Sequence, residues 1–186
     1  GKHAEAIASY EKAIILKPDY AEAYNNLGNI VNGPGKHQLA IKLFKKAIQI
    51  KPEYAEAHNN IGNAFNALGK YEDAINSYYK AIQIRPLYAE AFINLGNVFN
   101  AIEKYEDAIN SYDEAFDIKL ESAEAHNEKG NALYNLGKYR QSCSSYRRAI
   151  DLQSDFAEAY NNLGLALHEL GYLEKSLIVY KKAIML

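Results

Sequence analysis

A period of 34 residues constrains this chain more than any single residue in it. The stretch AEAHNNIGNAFNALGKYEDAINSYYKAIQIRPLY, Ala55 to Tyr88, recurs in register from Ala21, Ala89, Ala123 and Ala157, with no insertion or deletion between copies. Repetition at such a spacing marks a stack of supersecondary units, each able to bury its apolar face only against its neighbours. The expected organisation is a single array. Residues 1–20 form the second helix of a partial unit, 21–54, 55–88, 89–122 and 123–156 are complete units, and 157–186 is a nearly complete last one.

Within a unit the apolar spacing is helical. At 100° per residue Tyr24, Leu27, Val31 and Pro34 gather on one side of the first half, and Glu22, Asn26, Asn29 and Gly33 on the other. In the second half of the Ala55 unit, Tyr71, Ala74, Ile75, Tyr78, Ala81 and Ile82 share a face, which predicts a second amphipathic helix. Gly69 stands where the first helix stops, as do Gly35, Glu103, Gly137 and Gly171 in the other units. Pro18, Pro52 and Pro86 end the second helix, because proline donates no helix hydrogen bond and restricts the residue before it. Leu120 and Ser154 replace that proline later in the chain, where packing of the flanking helices is expected to keep the turn. Asp19 and Asp155, each three residues before a glutamate, are expected to cap the next helix as a variant capping box. Each unit is thus a helical hairpin and the fold is all-α.

Small residues recur where helices must approach. Gly28, Gly62, Gly96, Gly130 and Gly164 fall inside first helices, where glycine costs about 1 kcal/mol against alanine, so five copies of one local penalty need a packing reason. Ala40, Ala74, Ala108, Ser142 and Ser176 are the small residues expected to face that contact, with Phe44, Tyr78, Tyr112, Tyr146 and Tyr180 as large wedges.

These residues resemble the pattern of the tetratricopeptide repeat (TPR) family: an aromatic, Leu-Gly, an aromatic or aliphatic, then Ala, an aromatic, Ala and Pro. Tyr24, Leu27, Gly28, Val31, Ala40, Phe44, Ala47 and Pro52 match it, and so do His58, Ile61, Gly62, Phe65, Ala74, Tyr78, Ala81 and Pro86. The resemblance runs the length of the chain. It implies a right-handed α-solenoid whose first helices line a concave groove that holds a peptide or a partner protein. Two departures are local. Lys129 replaces the core leucine, its stem expected to cover part of the gap, and Pro34 is expected to end its helix early.

The polar side of the first helix supplies the candidate site. Glutamate recurs at Glu22, Glu56, Glu90, Glu124 and Glu158, where helix N-termini favour negative charge. Asn26, Asn60, Asn94, Glu128 and Asn162 form one further row, and Asn29, Asn63, Asn97, Asn131 and Leu165 another. Asparagine is a mediocre helix former, so its mid-helix recurrence implies a task. One task is hydrogen bonding between helices; the other is recognition of peptide backbone, since an amide carries an acceptor and two donors. The candidate peptide-binding residues are Asn26, Asn29, Asn60, Asn63, Asn94, Asn97, Glu128, Asn131 and Asn162. The row through Asn26, Asn60 and Asn94 is similar to the asparagine ladder in the TPR arm of O-linked N-acetylglucosamine transferases.

Other chemistry is weakly represented. His58 and His126 replace a core aromatic at equivalent positions two units apart, too distant to share a metal, and Cys143 reads as a small buried apolar residue. There is no Gly-rich phosphate loop, no nucleophile with a paired base and no metal-ligand spacing, so neither catalysis nor a cofactor is expected. A net charge of -2 with interleaved signs argues against nucleic acid, the ligand of the pentatricopeptide solenoids, and against an acidic membrane. No apolar run spans a bilayer and no secretory signal pattern is visible, so a cytoplasmic location is expected.

Three functions fit: a module binding an extended peptide or partner protein, the substrate-recruiting arm of a larger enzyme such as a glycosyltransferase, and a self-assembling scaffold. Uncapped solenoid ends expose apolar surface, so end-to-end contacts are expected through Ile7, Tyr10 and Ile14, or Leu177, Tyr180 and Ile184. The ligand is expected to be neutral to basic. Co-chaperone TPR domains clamp a C-terminal carboxylate with basic residues, whereas Glu90 and Asn94 stand where such residues are wanted. Calorimetric titration with an acidic chaperone-tail peptide is expected to show no binding at micromolar concentrations.

Overall fold

A computed structural model of the chain describes residues 2–118 and 120–186. They form α-helices throughout: α1 (Lys2–Leu16), α2 (Ala21–Val31), α3 (His37–Ile50), α4 (Ala55–Ala67), α5 (Tyr71–Ile84), α6 (Ala89–Ala101), α7 (Tyr105–Asp117), α8 (Ala123–Asn135), α9 (Tyr139–Leu152), α10 (Ala157–Glu169) and α11 (Leu173–Ile184). The all-α reading therefore holds. The chain divides into two compact units, residues 1–94 and 95–186. In the first, α1 packs on α2, α2 on α3, α3 on α4 and α4 on α5; in the second, α7 packs on α8, α8 on α9, α9 on α10 and α10 on α11.

Both kinds of turn follow from local chemistry. Between the helices of a hairpin, Gly35, Gly69, Gly137 and Gly171 adopt φ values of +69° to +78°, and Glu103 takes the same left-handed conformation at +61°. The left-handed residue lets the amide of Lys70 reach the Phe65 carbonyl at 3.0 Å, closing the end of α4. Pro34 has the expected effect, since α2 stops at Val31. Between hairpins, the helices end two residues before Pro18, Pro52 and Pro86. The turns at Leu120 and Ser154 survive without proline, with α8 and α10 starting at the expected alanines.

The capping-box expectation is corrected. Tyr20 and Phe156 are the N-cap residues of α2 and α10, and neither helix has a side-chain cap bond. The Tyr20 carbonyl already accepts from the amides of Ala23 and Tyr24, so the turn closes one residue after Asp19. A side-chain cap does occur at α8, where Ser122 Oγ accepts from the Ala125 amide at 3.0 Å.

The repeated glycines meet the wedge rings directly. A Cβ on Gly28 would lie 2.6 Å from Phe44 Cε1, and one on Gly62 would lie 2.6 Å from Tyr78 Cε1. The same ring-over-glycine contact joins Gly96 to Tyr112, Gly130 to Tyr146 and Gly164 to Tyr180. Phe44, Tyr78 and Tyr112 are fully buried by it. The Ala40 row is also buried, and Ser176 Oγ donates to the Gly164 carbonyl at 2.8 Å, but the ring and not the small residue occupies the space a Cβ would need. Stacking then extends the core from one hairpin to the next: Ala40, Ile41 and Phe44 of α3 pack with Ile61 and Ala64 of α4, and Cys143 and Tyr146 of α9 with Leu163, Ala166 and Leu167 of α10. Ile7, Tyr10 and Ile14 are half-buried, as is Tyr180, whereas Leu177 and Ile184 are exposed.

Two substitutions test this packing by urea unfolding. Gly62→Ala is expected to destabilise by about 1–3 kcal/mol, since neither ring nor backbone has room to yield. Glu103→Gly is expected to stabilise by about 1 kcal/mol, by relieving the cost of a left-handed non-glycine residue.

Candidate functional site

The first helices are buried more widely than a two-sided reading of them implies. Asn59 and Asn127 are wholly buried and Asn25 nearly so, one residue before the row that starts at Asn26. These three are the residues that the sequence reading missed. Asn60 Nδ2 donates to Asn25 Oδ1 at 2.9 Å, Asn94 Nδ2 to Asn59 Oδ1 at 3.0 Å and Asn162 Nδ2 to Asn127 Oδ1 at 3.1 Å. Asn59 and Asn127 in turn donate to the Glu90 and Glu158 carboxylates at 3.1 and 3.0 Å. Asn59 and Asn127 thus use both ends to tie their helices to the first helix of the following repeat, whereas Asn25 does so through its oxygen alone. The visible signal was the doubled Asn-Asn at 25–26 and 59–60; Asn127 lacks it, being followed by Glu128, and the same doublet at 161–162 starts on an exposed residue.

Asn60, Asn94 and Asn162 are therefore held by hydrogen bonds between helices, on a half-buried face, while Asn26 accepts only from its neighbour Asn25 at 3.5 Å. That commitment is partial. Among the described residues, Oδ1 of Asn60 and Oδ1 of Asn94 accept nothing, and each amide keeps a second N–H.

The neighbouring row has a different partner. Tyr78 Oη donates to Asn63 Oδ1 at 2.7 Å, Tyr112 Oη to Asn97 Oδ1 at 2.7 Å and Tyr146 Oη to Asn131 Oδ1 at 2.8 Å. A buried phenol needs an acceptor, and this asparagine supplies it. Where the wedge is Phe44 there is no hydroxyl to serve; Asn29 there is exposed, as is Asn97, while Asn63 and Asn131 are half-buried. Burial pushes the Tyr78, Tyr112 and Tyr146 hydroxyls far above the ordinary tyrosine range.

The glutamate row divides between uses. Glu22 pairs with Lys51 at 3.1 Å and Glu56 with Arg85, and both carboxyls sit below their usual range. For Glu22 the first cause is its own backbone amide, the helix N-terminal donor, ahead of Lys51; for Glu56 burial is the largest single influence and raises the pKa, but the Arg85 hydrogen bond, the backbone amide and the nearby positive charges together outweigh it. Glu124 is exposed.

Register explains the odd member of the ladder. The residue 34 after Asn59 and 34 before Asn127 is Ile93, which offers no acceptor, and the ladder residue 35 after Ile93 is Glu128, which has no amide to donate. Glu128 is half-buried, and burial raises its carboxyl pKa. Asn100 Nδ2 donates to its backbone carbonyl at 3.0 Å and to Oε2 at 3.3 Å.

The remaining candidates are structural. His58 Nε2 lies 2.9 Å from the Pro52 carbonyl, and His126 stacks on Phe116 with centroids 4.1 Å apart. Burial lowers the pKa of both imidazoles. Lys129 is half-buried, its ammonium 5.7 Å from the Phe116 ring centre and paired with Asp113. Cys143 is buried and its thiol pKa is raised by desolvation. Among the described residues no group of three or more His, Cys, Asp or Glu side chains is placed to hold a metal ion, and no helix is long and apolar enough to cross a membrane.

The family profile described as TPR repeat matches residues 1–31, 34–69, 62–102, 96–137 and 130–171, and a second, described as tetratricopeptide repeat, matches 157–186. The chain belongs to the tetratricopeptide repeat family. Solved structures similar to this TPR chain include MamA, at 25% identity and a TM-score of 0.80 over 86% of this chain and 93% of that one. A form of MamA from Desulfovibrio magneticus RS-1, beginning at its residue 41, is 19% identical with a TM-score of 0.81, over 89% and 93% of the two chains. YrrB, described as a TPR protein with an unusual peptide-binding site, is 24% identical with a TM-score of 0.79, over 94% and 90%. No curated protein matches the chain.

Two measurements test the network. Asn59→Ala is expected to destabilise this TPR chain by about 2 kcal/mol, because a buried amide loses two hydrogen bonds, while Asn29→Ala at an exposed site stays within about 0.5 kcal/mol of wild type. The histidines predict a pH dependence. Their folded pKa values lie below the unfolded value of about 6.5, so below that pH the unfolded chain binds protons that the folded chain does not. The urea midpoint is expected to fall between pH 7 and 5 by more in wild type than in a His58→Tyr, His126→Phe variant.

Proposed function

We propose that the chain is a binding module without catalytic activity, and that repeat units 21–54 to 157–186 act together as one array holding an extended, neutral to basic peptide along the face that carries the asparagine ladder. One observation carries this reading. Asn60 and Asn94 are held by hydrogen bonds to the preceding repeat, yet among the described residues each leaves a carbonyl oxygen and an N–H without a partner. Such preorganised amides suit a peptide backbone, which offers one donor and one acceptor per residue whatever its sequence. Asn26 and Asn162 extend the same row. The Asn63, Asn97 and Asn131 oxygens already serve tyrosine hydroxyls, so in this reading they contribute only their N–H groups. The peptide-binding description of YrrB, a protein of the same fold, is consistent with this use of the scaffold.

Magnitudes set the affinity expected. At about 1 kcal/mol net for each hydrogen bond, the ladder alone does not offset an association cost of roughly 4–15 kcal/mol. Side-chain anchors must supply the rest, and isolated peptides are expected to bind at roughly micromolar Kd or weaker. Copies of the chain are expected to associate through the exposed Leu177 and Ile184 of α11 at high concentration.

The test uses a random dodecapeptide library displayed on phage, with the enriched peptides titrated by calorimetry. An Asn60→Ala, Asn94→Ala variant is expected to bind them at least threefold more weakly, with its helical circular dichroism unchanged. Unchanged affinity in that variant would assign the binding surface to another face.

A further inference from the structure

We infer that the cleft beside Glu128 is a subsite for a cationic side chain, lysine or arginine, of the bound peptide. This rests on the groove reading above and adds a specificity to it. The cleft lies in residues 95–186, where α6 and α8 contribute Asn97, Asn100, Glu128 and Asn131, the turn after α6 adds Glu103 and the start of α7 adds Tyr105. Two of its lining residues are carboxylates and none is cationic.

Glu128 differs from the ion-paired carboxylates of the chain. Glu22, Glu56, Asp113 and Glu121 each meet a lysine or arginine, and among the described residues Glu128 is in no ion pair. It is half-buried, and its partner is an amide. Asn100 Nδ2 holds both its backbone carbonyl and Oε2. Across the same cleft the Asn131 carbonyl oxygen is fixed by Tyr146 Oη at 2.8 Å and Asn162 Nδ2 at 3.2 Å, so its amino end is the part left to face a ligand. Amide donors orient a carboxylate but leave its charge uncompensated. A partly desolvated charge without a counter-charge is costly, and a ligand ammonium or guanidinium supplies that counter-charge through charge-assisted hydrogen bonds.

Register gives the same result independently. In units 55–88, 89–122 and 157–186 a ladder asparagine donates to the buried asparagine of the preceding repeat, whereas Ile93 breaks the series ahead of Glu128. Glu128 is thereby released from the bonding pattern that commits its counterparts, at the one ladder position that carries charge.

Two arms test the proposal. In the first, N-acetyl-L-arginine N-methylamide is titrated into the whole chain at constant ionic strength, and the side-chain amide resonances of Asn100 and Asn131 are followed by NMR. They are expected to shift saturably, with N-acetyl-L-norleucine N-methylamide binding at least tenfold more weakly. Glu128→Gln, and Glu128→Asn, which restores the residue of the sister units, are expected to abolish the preference while the backbone spectrum stays folded. Equal shifts for the two compounds, or a preference that survives in both variants, overturn the subsite. In the second arm, the displayed library is selected against wild type and Glu128→Asn. Enrichment of lysine or arginine at one position in wild type alone supports the subsite. Enriched peptides with no such difference overturn it and leave the groove reading standing. If no peptide is enriched on either protein, the groove reading fails, and the arginine titration alone then decides whether Glu128 binds a cation.

Discussion

The contact between a first-helix glycine and the aromatic ring of the following helix is the constraint on which each hairpin depends. With a Cβ position 2.4 to 2.8 Å from ring carbons, the ring lies directly on the glycine's backbone. Such a contact fixes both the separation of the two helices and their rotation about their axes, since no neighbouring residue offers the same bare surface. Alanines at the Ala40 row then seat against the first helix, and the apolar residues of each second helix are left facing the next hairpin. The local penalty of a mid-helix glycine, about 1 kcal/mol, is offset by burial of a whole aromatic side chain, whose truncation in a core costs about 3–5 kcal/mol.

That geometry has a polar consequence. A tyrosine wedge carries a hydroxyl into the interior, and the hydroxyl needs an acceptor there. Asn63, Asn97 and Asn131 meet this need, each four residues before the last residue of its helix. One turn earlier, Asn59 and Asn127 perform the related task between repeats, accepting from one side chain and donating to another. The asparagines that look like a uniform polar surface therefore belong to three systems. One satisfies buried phenols, one ties successive first helices together, and one is oriented by the second while keeping free hydrogen-bonding capacity.

Where the second system is interrupted, chemistry changes. Ile93 removes an acceptor and Glu128 appears one repeat later, half-buried and served by Asn100. Glu124, the counterpart of Glu90 and Glu158, is exposed. A break in a structural network frees a charged side chain on the face proposed to bind peptide. Lys129 beside it departs from the pattern in another way, replacing a core aliphatic and pairing with Asp113.

Much of this was legible in the residues themselves. The period, the hairpin turns at Gly35, Gly69, Glu103, Gly137 and Gly171, the early end of α2 and the burial of Cys143 follow from spacing and from the backbone limits of glycine and proline. The caps at Asp19 and Asp155 were misplaced by one residue, because a backbone carbonyl and not a side chain closes those turns. Asn25, Asn59 and Asn127 were overlooked for a related reason: a helical projection sorts residues by angle on one helix, whereas their burial is imposed by a neighbouring repeat. The sequence by itself determined the hairpins, because backbone preference and apolar period act within a few residues. Only the tertiary structure decided which asparagine bonds to which side chain and which keeps an unpartnered carbonyl, because an amide has the same composition and nearly the same helical angle in either role, and its partner lies a full repeat away.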